Sequence, residues 1–582
     1  MERDRIKGGN LNQHYGKTIA LCNMKTSDKE IIRNLSSQLK TNGIRHIVFS
    51  PGSRNAPFAI TFDNDSYFKT HVIHDERVAG FFALGISQTL NEPVALCCTS
   101  GSAVVNYFPA ITEAFYRKIP LFILSADRPK ALINKGHGQT IMQDDIFGKH
   151  VLKSHSFDDN SANSESNNKI IQTTLNHLFK APRGPVHLNF HLNEPLYGSL
   201  DIATDEFKVE QILMNESSEL KVNNELLESL SGKKILVLCG QDAKVKGLNR
   251  ALSEFNQSTN VVVLNENTSG LYDSHFINCI DRTLNSIDFN DAQDFIPDVL
   301  ITIGDAVISK RIKAFFTNNA PKTHIAINHS DIGVDLFLRL DVHLKINPAH
   351  FFESINKEYL QTNNINFESK WKSIDLVAKD RIDEFYNVEN SNTDIQVFHL
   401  INQYIENKTV IHMANSSVVR YMQLFDPIKT VQYFANRGTS GIDGSMSTAV
   451  GSAISNPVQN HLFITGDISF IYDSNAMWVS PFPSNLKIIV IDNSGGGIFR
   501  IIDGPRTSDQ LENYFEAHHK GDVKKIAEGF GFASKVVSDH HIYENELIDF
   551  FQNDTTQILI FKTNRTENPL ALNRLFKFLK NA

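Results

Sequence analysis

A buried parallel sheet is indicated most clearly by residues 466–497, GDISFIYDSNAMWVSPFPSNLKIIVIDNSGGG. The apolar run HLFIT leads into it and stops at Gly466-Asp467, and the apolar run KIIVI inside it stops at Asp492-Asn493. Asp467 and Asn493 are 26 positions apart (493 − 467), which is enough for one strand–helix–strand unit. Short apolar strands separated by a helix indicate parallel neighbours in a buried sheet, so both polar pairs are predicted at one edge.

These polar strand ends predict a metal site. In an open parallel sheet, ligands bind beyond the carboxyl ends of the strands. A carboxylate oxygen from Asp467, an amide oxygen from Asn493 and a backbone carbonyl at Gly495 form a set of hard ligands that suits Mg²⁺ completed by water and phosphate. Asp and Asn are also common turn residues, and from this segment alone that simpler explanation is favoured.

The composition sets the class of protein. The chain has 582 residues, of which 41% are hydrophobic and 21% charged, with a formal net charge of −8. Three globular domains of ordinary size are expected, and a nucleic-acid or anionic-membrane partner is disfavoured. Five scattered cysteines without a CxxC pair, no apolar signal segment and no apolar run of membrane-spanning length favour a reducing, cytoplasmic location.

Three blocks of alternating strands and helices predict an α/β protein with three doubly wound parallel-sheet domains. The first helix is expected near Ser27, which has capping-box spacing to Glu30. The central block is Rossmann-like but lacks GxGxxG, so dinucleotide binding is unsupported. The predicted segments are a flexible N-terminal arm (1–25), a first domain (26–195), a linker (196–230), a central domain (231–350), a helical linker (351–392) and a third domain (393–582).

The opening segment resembles the metal-diphosphate motif of thiamine-diphosphate enzymes, although Ile468 stands where that motif has Gly. The family also needs a glutamate that touches the aminopyrimidine ring, and Glu76 in HDERVAGFFALG matches it. Beside Asp75 and Arg77, Glu76 could instead be a helix-capping or ion-paired acid. The resemblance makes the first domain pyrimidine-binding and the third diphosphate- and Mg-binding, with Mn²⁺ able to replace Mg²⁺.

Six further stretches narrow the resemblance. They are SPGSRNAPF (50–58), SADRP (125–129), GQTI (138–141), ISKR (308–311), ANSSVVR (414–420) and NRGTSGIDG (436–444). Together they resemble the 2-succinyl-5-enolpyruvyl-6-hydroxy-3-cyclohexene-1-carboxylate synthase family of menaquinone biosynthesis over residues 27 to 580. The resemblance implies a transferase that decarboxylates 2-oxoglutarate and adds the resulting succinyl carbanion equivalent to isochorismate in a 1,4 sense.

The resemblance also implies the site residues. The catalytic residue is Glu76. The cofactor contacts are Glu76, Ser416, Ile442, Asp467, Asn493 and Gly495, of which Asp467, Asn493 and Gly495 bind the metal. The substrate contacts are Ser53, Arg54, Arg128, Gln139, Lys310, Arg311, Arg420, Arg437, Ile498 and Phe499, with Ser416 also facing the substrate. The family often has Asn before the glutamine of the GxxQ turn, where this chain has Gly138.

The charge chemistry agrees with two dianionic substrates. Six of the predicted contacts are cations drawn from all three blocks, and Arg suits carboxylates through its bidentate fork. Any one of them could be a surface ion pair, but six at motif positions favour a binding cleft. The family joins its glutamate and metal site across subunits, so a homodimer or homotetramer is implied.

Two other functions stay open. An acetolactate-synthase-like enzyme or a simple 2-oxoacid decarboxylase would share Glu76, Asp467 and Asn493, but would need fewer cations. A non-catalytic metabolite-binding protein would need neither the glutamate nor the metal pair. Replacing Glu76 with Gln distinguishes the second alternative, because only an enzyme would lose turnover.

Overall fold

A computed structural model describes residues 24–159, 164–202, 209–212, 224–287, 289–329, 333–355, 366–389, 391–552 and 558–580. Three parallel sheets organise this part of the chain, each with helices on its faces. Their inner strands consist mostly of buried apolar residues, as expected of sheets covered on both sides. The predicted fold class, three doubly wound α/β units, is therefore confirmed.

The first unit contains a six-stranded parallel sheet in the order β3-β2-β4-β5-β7-β6. Its strands and the flanking β1 and β8 are β1 (Met24–Ser27), β2 (His46–Phe49), β3 (Lys69–Val72), β4 (Val94–Cys98), β5 (Leu121–Asp127), β6 (Lys153–Asp158), β7 (Val186–His191) and β8 (Ser199–Ile202). Its helices are α1 (Glu30–Thr41), α2 (Ala56–Asp63), α3 (Glu76–Leu90), α4 (Ser102–Asn106), α5 (Phe108–Tyr116) and α6 (Ser164–Phe179).

The start of the first unit differs from the prediction. β1 pairs antiparallel with β8, which lies inside the stretch predicted as a linker. The capping box is wrong: Ser27 belongs to β1, and its Oγ accepts from the Lys29 N–H at 3.2 Å rather than capping α1. Met24 and Lys25, the last two residues of the predicted N-terminal arm, belong to β1. The rest of that arm, residues 1–23, lies outside the described residues.

The central unit has a five-stranded parallel sheet in the order β10-β9-β11-β12-β13. Its strands are β9 (Ile235–Cys239), β10 (Val261–Asn265), β11 (Val299–Ile303), β12 (Thr323–Asn328) and β13 (Val342–Lys345). Its helices are α7 (Asn224–Ser229), α8 (Leu248–Phe255), α9 (Ile280–Asn285), α10 (Lys310–Asn318) and α11 (Pro348–Ser354), and α12 (Phe367–Val388) follows them.

The third unit has six parallel strands in the order β15-β14-β16-β17-β19-β18. They are β14 (Val410–Met413), β15 (Gln432–Ala435), β16 (His461–Gly466), β17 (Leu486–Asp492), β18 (Ser534–Val537) and β19 (Ile558–Lys562). The helices are α13 (Asp394–Tyr404), α14 (Ser417–Tyr421), α15 (Ser445–Ser455), α16 (Asp467–Tyr472), α17 (Val523–Gly529), α18 (Tyr543–Gln552) and α19 (Glu567–Lys580). β16 and β17 are neighbours, as predicted.

The first and third units pack together through α3 and α15. A Cβ on Gly85 would lie 2.1 Å from the Thr448 carbonyl oxygen, and a Cβ on Gly451 would lie 2.1 Å from the Phe82 carbonyl oxygen. Each glycine therefore lets one helix backbone approach the other directly. This contact fixes the unit that carries Glu76 against the unit that carries Asp467. Within the described residues, we find no helix with the length and apolar character needed to cross a membrane.

Candidate active site

Asp467 lies at the carboxyl edge of the third sheet, as the first residue of α16. Only 2% of the residue is exposed, and this burial raises the pKa of its carboxyl group. Its Oδ2 accepts from the Gly495 N–H at 2.9 Å, and its Oδ1 accepts from the Ile468 N–H at 2.8 Å. The carboxylate is thus held against the glycine turn that follows β17, where the sequence predicted the metal.

Asn493 completes this pair. Its Nδ2 donates to Asp394 Oδ2 at 3.1 Å, while its Oδ1 is buried and has no hydrogen-bond partner in the described part of the chain. Asp394 is itself buried, which raises the pKa of its carboxyl group to about 6. A buried carbonyl oxygen without a donor costs free energy unless another positive group meets it. The donor set therefore fits a hard cation, with Asp394 setting the amide orientation.

The glycine turn is pressed against the segment at Glu516. A Cβ on Gly495 would lie 3.0 Å from Glu516 Cγ, and the Gly496 N–H donates to the Glu516 carbonyl at 2.7 Å. His519 also reaches back, with its Nε2 3.2 Å from Asp467 Oδ2, and this carboxylate raises the pKa of the imidazole. Segment 516–519 thus packs directly against the predicted metal ligands.

Ile498 and Phe499 follow the turn in a short 3₁₀ helix, Gly497–Arg500. Ile498 is buried, and the Phe499 ring lies 6.0 Å from the Phe515 ring, centroid to centroid. Both side chains therefore adjoin the turn that is predicted to bind the metal. Their predicted role as an apolar wall over the substrate stays a prediction.

Glu76 is the first residue of α3, and Asp75 caps that helix. Asp75 accepts from the Val78 N–H at 3.2 Å and from Asn475 Nδ2 at 2.7 Å. Arg77 donates to the Tyr472 carbonyl at 2.8 Å. Asp75 and Arg77 thus take the capping and pairing roles that were the alternative explanation for an acid at position 76. Among the described residues, no hydrogen bond or ion pair reaches the Glu76 carboxylate.

The first sheet edge carries two arginines, of which Arg54 is buried and Arg128 is half-buried. Arg54, 5% exposed, donates to the Leu192 carbonyl at 3.1 Å and pairs with Glu194 at 3.0 Å. Burial, followed by the charge of Arg128, lowers the pKa of Arg54. The Nε atoms of Arg54 and Arg128 are both buried without a hydrogen-bond partner among the described residues. Two close guanidinium groups with unused donors fit a carboxylate ligand.

Ser53 and Gln139 lie on exposed loops of the same unit. Ser53 Oγ is 2.9 Å from the Tyr197 hydroxyl. Gln139 has a positive φ of 56°, and its Cα would lie 3.3 Å from a Cβ on Gly101, at the end of β4. Both therefore belong to the edge of the first sheet, but no described contact joins either to an arginine of that edge.

A second group of cations lies between the central and third units. Burial lowers the pKa values of Arg420 and Arg437, and Arg437 also lowers that of Arg420. Lys313 on α10 belongs to the same group, since Arg437, Arg420 and Lys310 all lower its pKa in addition to burial. The sequence interpretation missed Lys313, although its spacing of three from Lys310 puts both on one helix face.

Lys310 and Arg311 occupy the first turn of α10. Ser309 caps that helix by accepting from the Ile312 N–H at 3.1 Å. Cations are unfavourable at a helix N-terminus, so helix stability does not explain this pair, whereas a bound anion would. Arg311 lies 4.2 Å from the centroid of the Phe576 ring, which orients its guanidinium.

Ser416 and Ile442 occupy the loops after β14 and β15. Ser416 has φ 73° and ψ −122°, a conformation that is strained for a residue with a side chain and is typical of functional sites. The Ile442 carbonyl accepts from Ser469 Oγ at 2.7 Å, which ties this loop to α16 and hence to Asp467. Asn415, which the sequence interpretation missed, donates to the carbonyls of Asn436 and Gly441 at 2.6 Å each.

A large cavity of about 1270 Å³ lies elsewhere, between the three units. Its lining includes Arg117, Asp242 and Asp305 but none of the predicted site residues. The motif residues instead lie at the sheet edges of the first and third units and, for Lys310 and Arg311, on α10 of the central unit, and together they form the candidate active site.

Comparison with known proteins agrees with this geometry. Residues 31–148 match the model described as "Thiamine pyrophosphate enzyme, N-terminal TPP binding domain", and residues 415–560 match its C-terminal counterpart. The first match contains Glu76, and the second contains Asp467 and Asn493.

Full-length relatives narrow the family. Proteins described as 2-succinyl-5-enolpyruvyl-6-hydroxy-3-cyclohexene-1-carboxylate synthase from Flavobacterium psychrophilum and Flavobacterium johnsoniae are each 38% identical to this chain. The alignments cover 93% and 92% of the chain, and 97% and 96% of the relatives. A Bacteroides fragilis protein with the same description is 31% identical over 95% of the chain and its own full length. The chain therefore belongs to the 2-succinyl-5-enolpyruvyl-6-hydroxy-3-cyclohexene-1-carboxylate synthase family, thiamine-diphosphate-dependent transferases of menaquinone biosynthesis.

Proposed function

We propose that this chain decarboxylates 2-oxoglutarate and adds the resulting succinyl unit to isochorismate in a 1,4 sense, releasing CO₂. Membership of the synthase family supports the reaction. The observation that carries the proposal is a set of buried polar atoms without partners among the described residues: Asn493 Oδ1 at one sheet edge, and the Nε atoms of Arg54, Arg128 and Arg437. The Asn493 oxygen fits a metal ion that would in turn hold a diphosphate, and the three N–H groups fit carboxylates.

In this proposal Asp467, Asn493 and the Gly495 carbonyl hold Mg²⁺, or Mn²⁺ in its place, and through it the diphosphate. Asp394 keeps the Asn493 oxygen directed at the metal. Thiamine diphosphate, when bound, supplies the electron sink that decarboxylation of a 2-oxoacid requires. Ile442 supports the cofactor, while Ser416, Ile498 and Phe499 line the reacting centre and exclude water.

With the cofactor bound, the Glu76 carboxyl group would hold the proton of a hydrogen bond to the aminopyrimidine ring. Asp75 and Arg77 make the structural contacts of the helix start, which leaves Glu76 for this role. Ser53, Arg54, Arg128 and Gln139 from the first unit, and Lys310, Arg311, Arg420 and Arg437 from the other two, neutralise and orient the two dianions. Charge-assisted pairs of this kind give specificity for dicarboxylates over monocarboxylates.

We further propose a homodimer, or a tetramer built from it, in which Glu76 of one subunit completes the metal site of another. Val72, Tyr472 and Trp478 support an interface there, because these exposed apolar side chains surround the start of α3 and Trp478 stacks on His74 at 4.9 Å. A cytoplasmic location is supported by the free, buried thiols of Cys97, Cys98, Cys239 and Cys279.

The decisive experiment measures CO₂ release from 2-oxoglutarate with thiamine diphosphate and Mg²⁺, with and without isochorismate, while following isochorismate absorbance. Release coupled to isochorismate loss is expected. Release from pyruvate with isochorismate untouched would favour the acetolactate-synthase-like or decarboxylase alternative. Cofactor binding without release from either acid would contradict the assigned reaction.

The shared site can be tested by complementation. We expect Glu76→Gln and Asp467→Asn chains to be inactive alone but, after mixed refolding, to regain up to about a quarter of the wild-type activity, because half of the dimers then contain one intact site. Activity that stays at the background of the separate variants would show that each site is built within one chain.

A further inference from the structure

Helix α5 of the first unit makes an unusually polar contact with the third unit through Glu113. The Glu113 side chain is fully buried, on a helix whose other buried residues are small or apolar. Its Oε1 accepts from the Gly438 N–H at 2.9 Å, and its Oε2 accepts from the N–H and hydroxyl of Thr439 at 2.7 and 2.9 Å. Three donors from one loop therefore compensate one buried charge.

The loop that Glu113 holds is residues 436–444, which carries Arg437. Gly438 lets this loop lie directly on α5, since a Cβ there would be 2.8 Å from the Glu113 carbonyl oxygen. On its other side, Arg437 donates to Asn415 Oδ1 at 3.0 Å. Asn415 fixes the loop to its own sheet, and Glu113 fixes it to the neighbouring unit.

The two residues that follow α5 contact the central unit. Arg117 donates two hydrogen bonds to Asp242, at 2.9 and 3.0 Å, and Lys118 pairs with Asp305 at 2.5 Å. The central unit bears Lys313, whose pKa is lowered by burial and, among the neighbouring cations, most by Arg437. The end of α5 therefore contacts both of the units that contribute to this group of cations.

We propose that Glu113 is a positioning residue for substrate recognition, fixing the 436–444 loop so that Arg437 meets one carboxylate of a dianionic substrate. The inference rests on the proposed function, in which Arg437 binds that carboxylate. Glu113 does not touch the substrate. It acts through the backbone of Gly438 and Thr439, the two residues that follow Arg437.

The test uses Glu113→Gln in the full-length holoenzyme, because the amide keeps the side-chain size but presents an N–H group to backbone donors. We first identify the dianion whose KM rises in Arg437→Met. For that substrate, Glu113→Gln should raise KM about five- to twentyfold while kcat changes less than about twofold. A merely structural role would lower the fraction of active enzyme and hence kcat, leaving KM and the affinity for thiamine diphosphate unchanged.

A double-variant cycle sharpens the assignment. If Glu113 acts through Arg437, then Glu113→Gln should raise KM little further in the Arg437→Met background. Glu92→Gln is the matched control, since it makes the same carboxylate-to-amide change at an exposed position of the first unit and should leave KM unchanged. Thr439→Val removes one of the three donors at an exposed residue and should raise KM about two- to fivefold, which keeps the test informative if Glu113→Gln folds poorly.

The outcomes separate the two proposals. If Arg437→Met leaves KM of both dianions unchanged, the substrate assignment of Arg437 fails and this inference fails with it. If Arg437→Met raises KM but Glu113→Gln and Thr439→Val do not, only the role of Glu113 is overturned. Full additivity of Glu113→Gln and Arg437→Met would also overturn it, because the two residues would then act independently.

Discussion

The first and third sheets have the same strand order but different chemistry at their carboxyl edges. Numbered within each sheet, both run 2-1-3-4-6-5, as β3-β2-β4-β5-β7-β6 and β15-β14-β16-β17-β19-β18. The third strand of the first sheet, β4, is followed by Thr99, Ser100 and Gly101, whereas that of the third sheet, β16, is followed by Asp467. One scaffold thus presents a neutral turn at this position and, in the other unit, a buried carboxylate.

The fourth strands of the two sheets both end at an aspartate but differ in the residue that follows it. β5 ends at Asp127 and leads to Arg128, whereas β17 ends at Asp492 and leads to Asn493. A guanidinium suits carboxylates, and an amide oxygen beside a carboxylate suits a hard cation. Strand order therefore fixes where the two edges lie, while the residue past each strand sets which class of ligand we expect there.

The largest expected effect is on the first edge, at Glu76. Glu76→Gln should lower kcat by about 10²–10⁴-fold, because the amide cannot hold and release the proton at the pyrimidine. Binding of thiamine diphosphate with Mg²⁺ should persist, since the third edge is untouched. Steady-state CO₂ release and cofactor titration by intrinsic fluorescence measure the two properties.

Retention of full turnover in Glu76→Gln would remove Glu76 from the catalytic chemistry. Glu92→Gln, at an exposed position of the same unit, should behave as wild type in both assays.

The reciprocal variant on the third edge is Asp467→Asn. It should weaken Mg²⁺-dependent binding of thiamine diphosphate by about 100-fold or more. In other metal sites, loss of a residue that only hydrogen-bonds to a ligand already lowers metal affinity about 10–100-fold, and this variant removes a charged ligand itself. Titration calorimetry with the cofactor, at fixed excess Mg²⁺, measures this loss. Asp549→Asn, at an exposed position of α18 in the same unit, is the control for an acid outside the predicted metal site. Unchanged affinity in Asp467→Asn would place the metal elsewhere.

Arg128→Met tests the substrate role of the first edge. Losing a charge-assisted hydrogen bond to a carboxylate should raise KM of one dianion about 10–100-fold, with little change in cofactor affinity. Arg250→Met is the matched control, because Arg250 is exposed and its pairing with Glu353 is a surface contact. Equal KM changes for 2-oxoglutarate and a monocarboxylic 2-oxoacid would argue against carboxylate recognition by Arg128.

Much of this arrangement could be predicted from the sequence. The parallel sheets follow from short apolar runs ending in polar pairs, and the meeting of Asp467 with the glycine turn follows from the spacing of β16 and β17. The topological equivalence of the first and third sheets could not be predicted, because the two blocks share no repeated sequence. Pairing order is decided by packing between distant segments, which periodicity does not report.

Residues that act through tertiary contact were also missed. Asp394 opens α13, about a hundred positions before Asn493, and an acid at a helix start is ordinary in sequence. Glu113 lies in an apolar helix pattern with no motif around it. The capping box at Ser27 failed for the opposite reason: its local pattern is correct, but strand pairing with β8 takes Ser27 into β1. Local signals predicted the ligands, whereas the residues that hold those side chains in place became visible only in the fold.

Stability, rather than activity, should respond to pH at the contact between the first and third units. Asp473 is fully buried, accepts from the N–H and hydroxyl of Ser447 at 2.8 Å each, and burial raises the pKa of its carboxyl group to about 6, with Arg77 of α3 opposing that rise. Below the unfolded-state pKa of 3.8 the side chain is protonated in both states. Between about pH 4 and pH 6 the unfolded chain releases the proton while the folded chain keeps it, so the free energy of unfolding should fall by up to about 3 kcal/mol as pH rises.

Asp473→Asn removes this titration, because the amide stays neutral and still accepts from the Ser447 N–H. Its thermal midpoint, measured by differential scanning fluorimetry across the same pH interval, should therefore fall less with rising pH than that of the wild type. Asp549→Asn, an exposed carboxylate on α18, should follow the wild-type curve. Parallel curves for wild type and Asp473→Asn would mean that the buried acid titrates alike in the folded and unfolded chain, and that the contact between α3 and α16 tolerates its charge without cost.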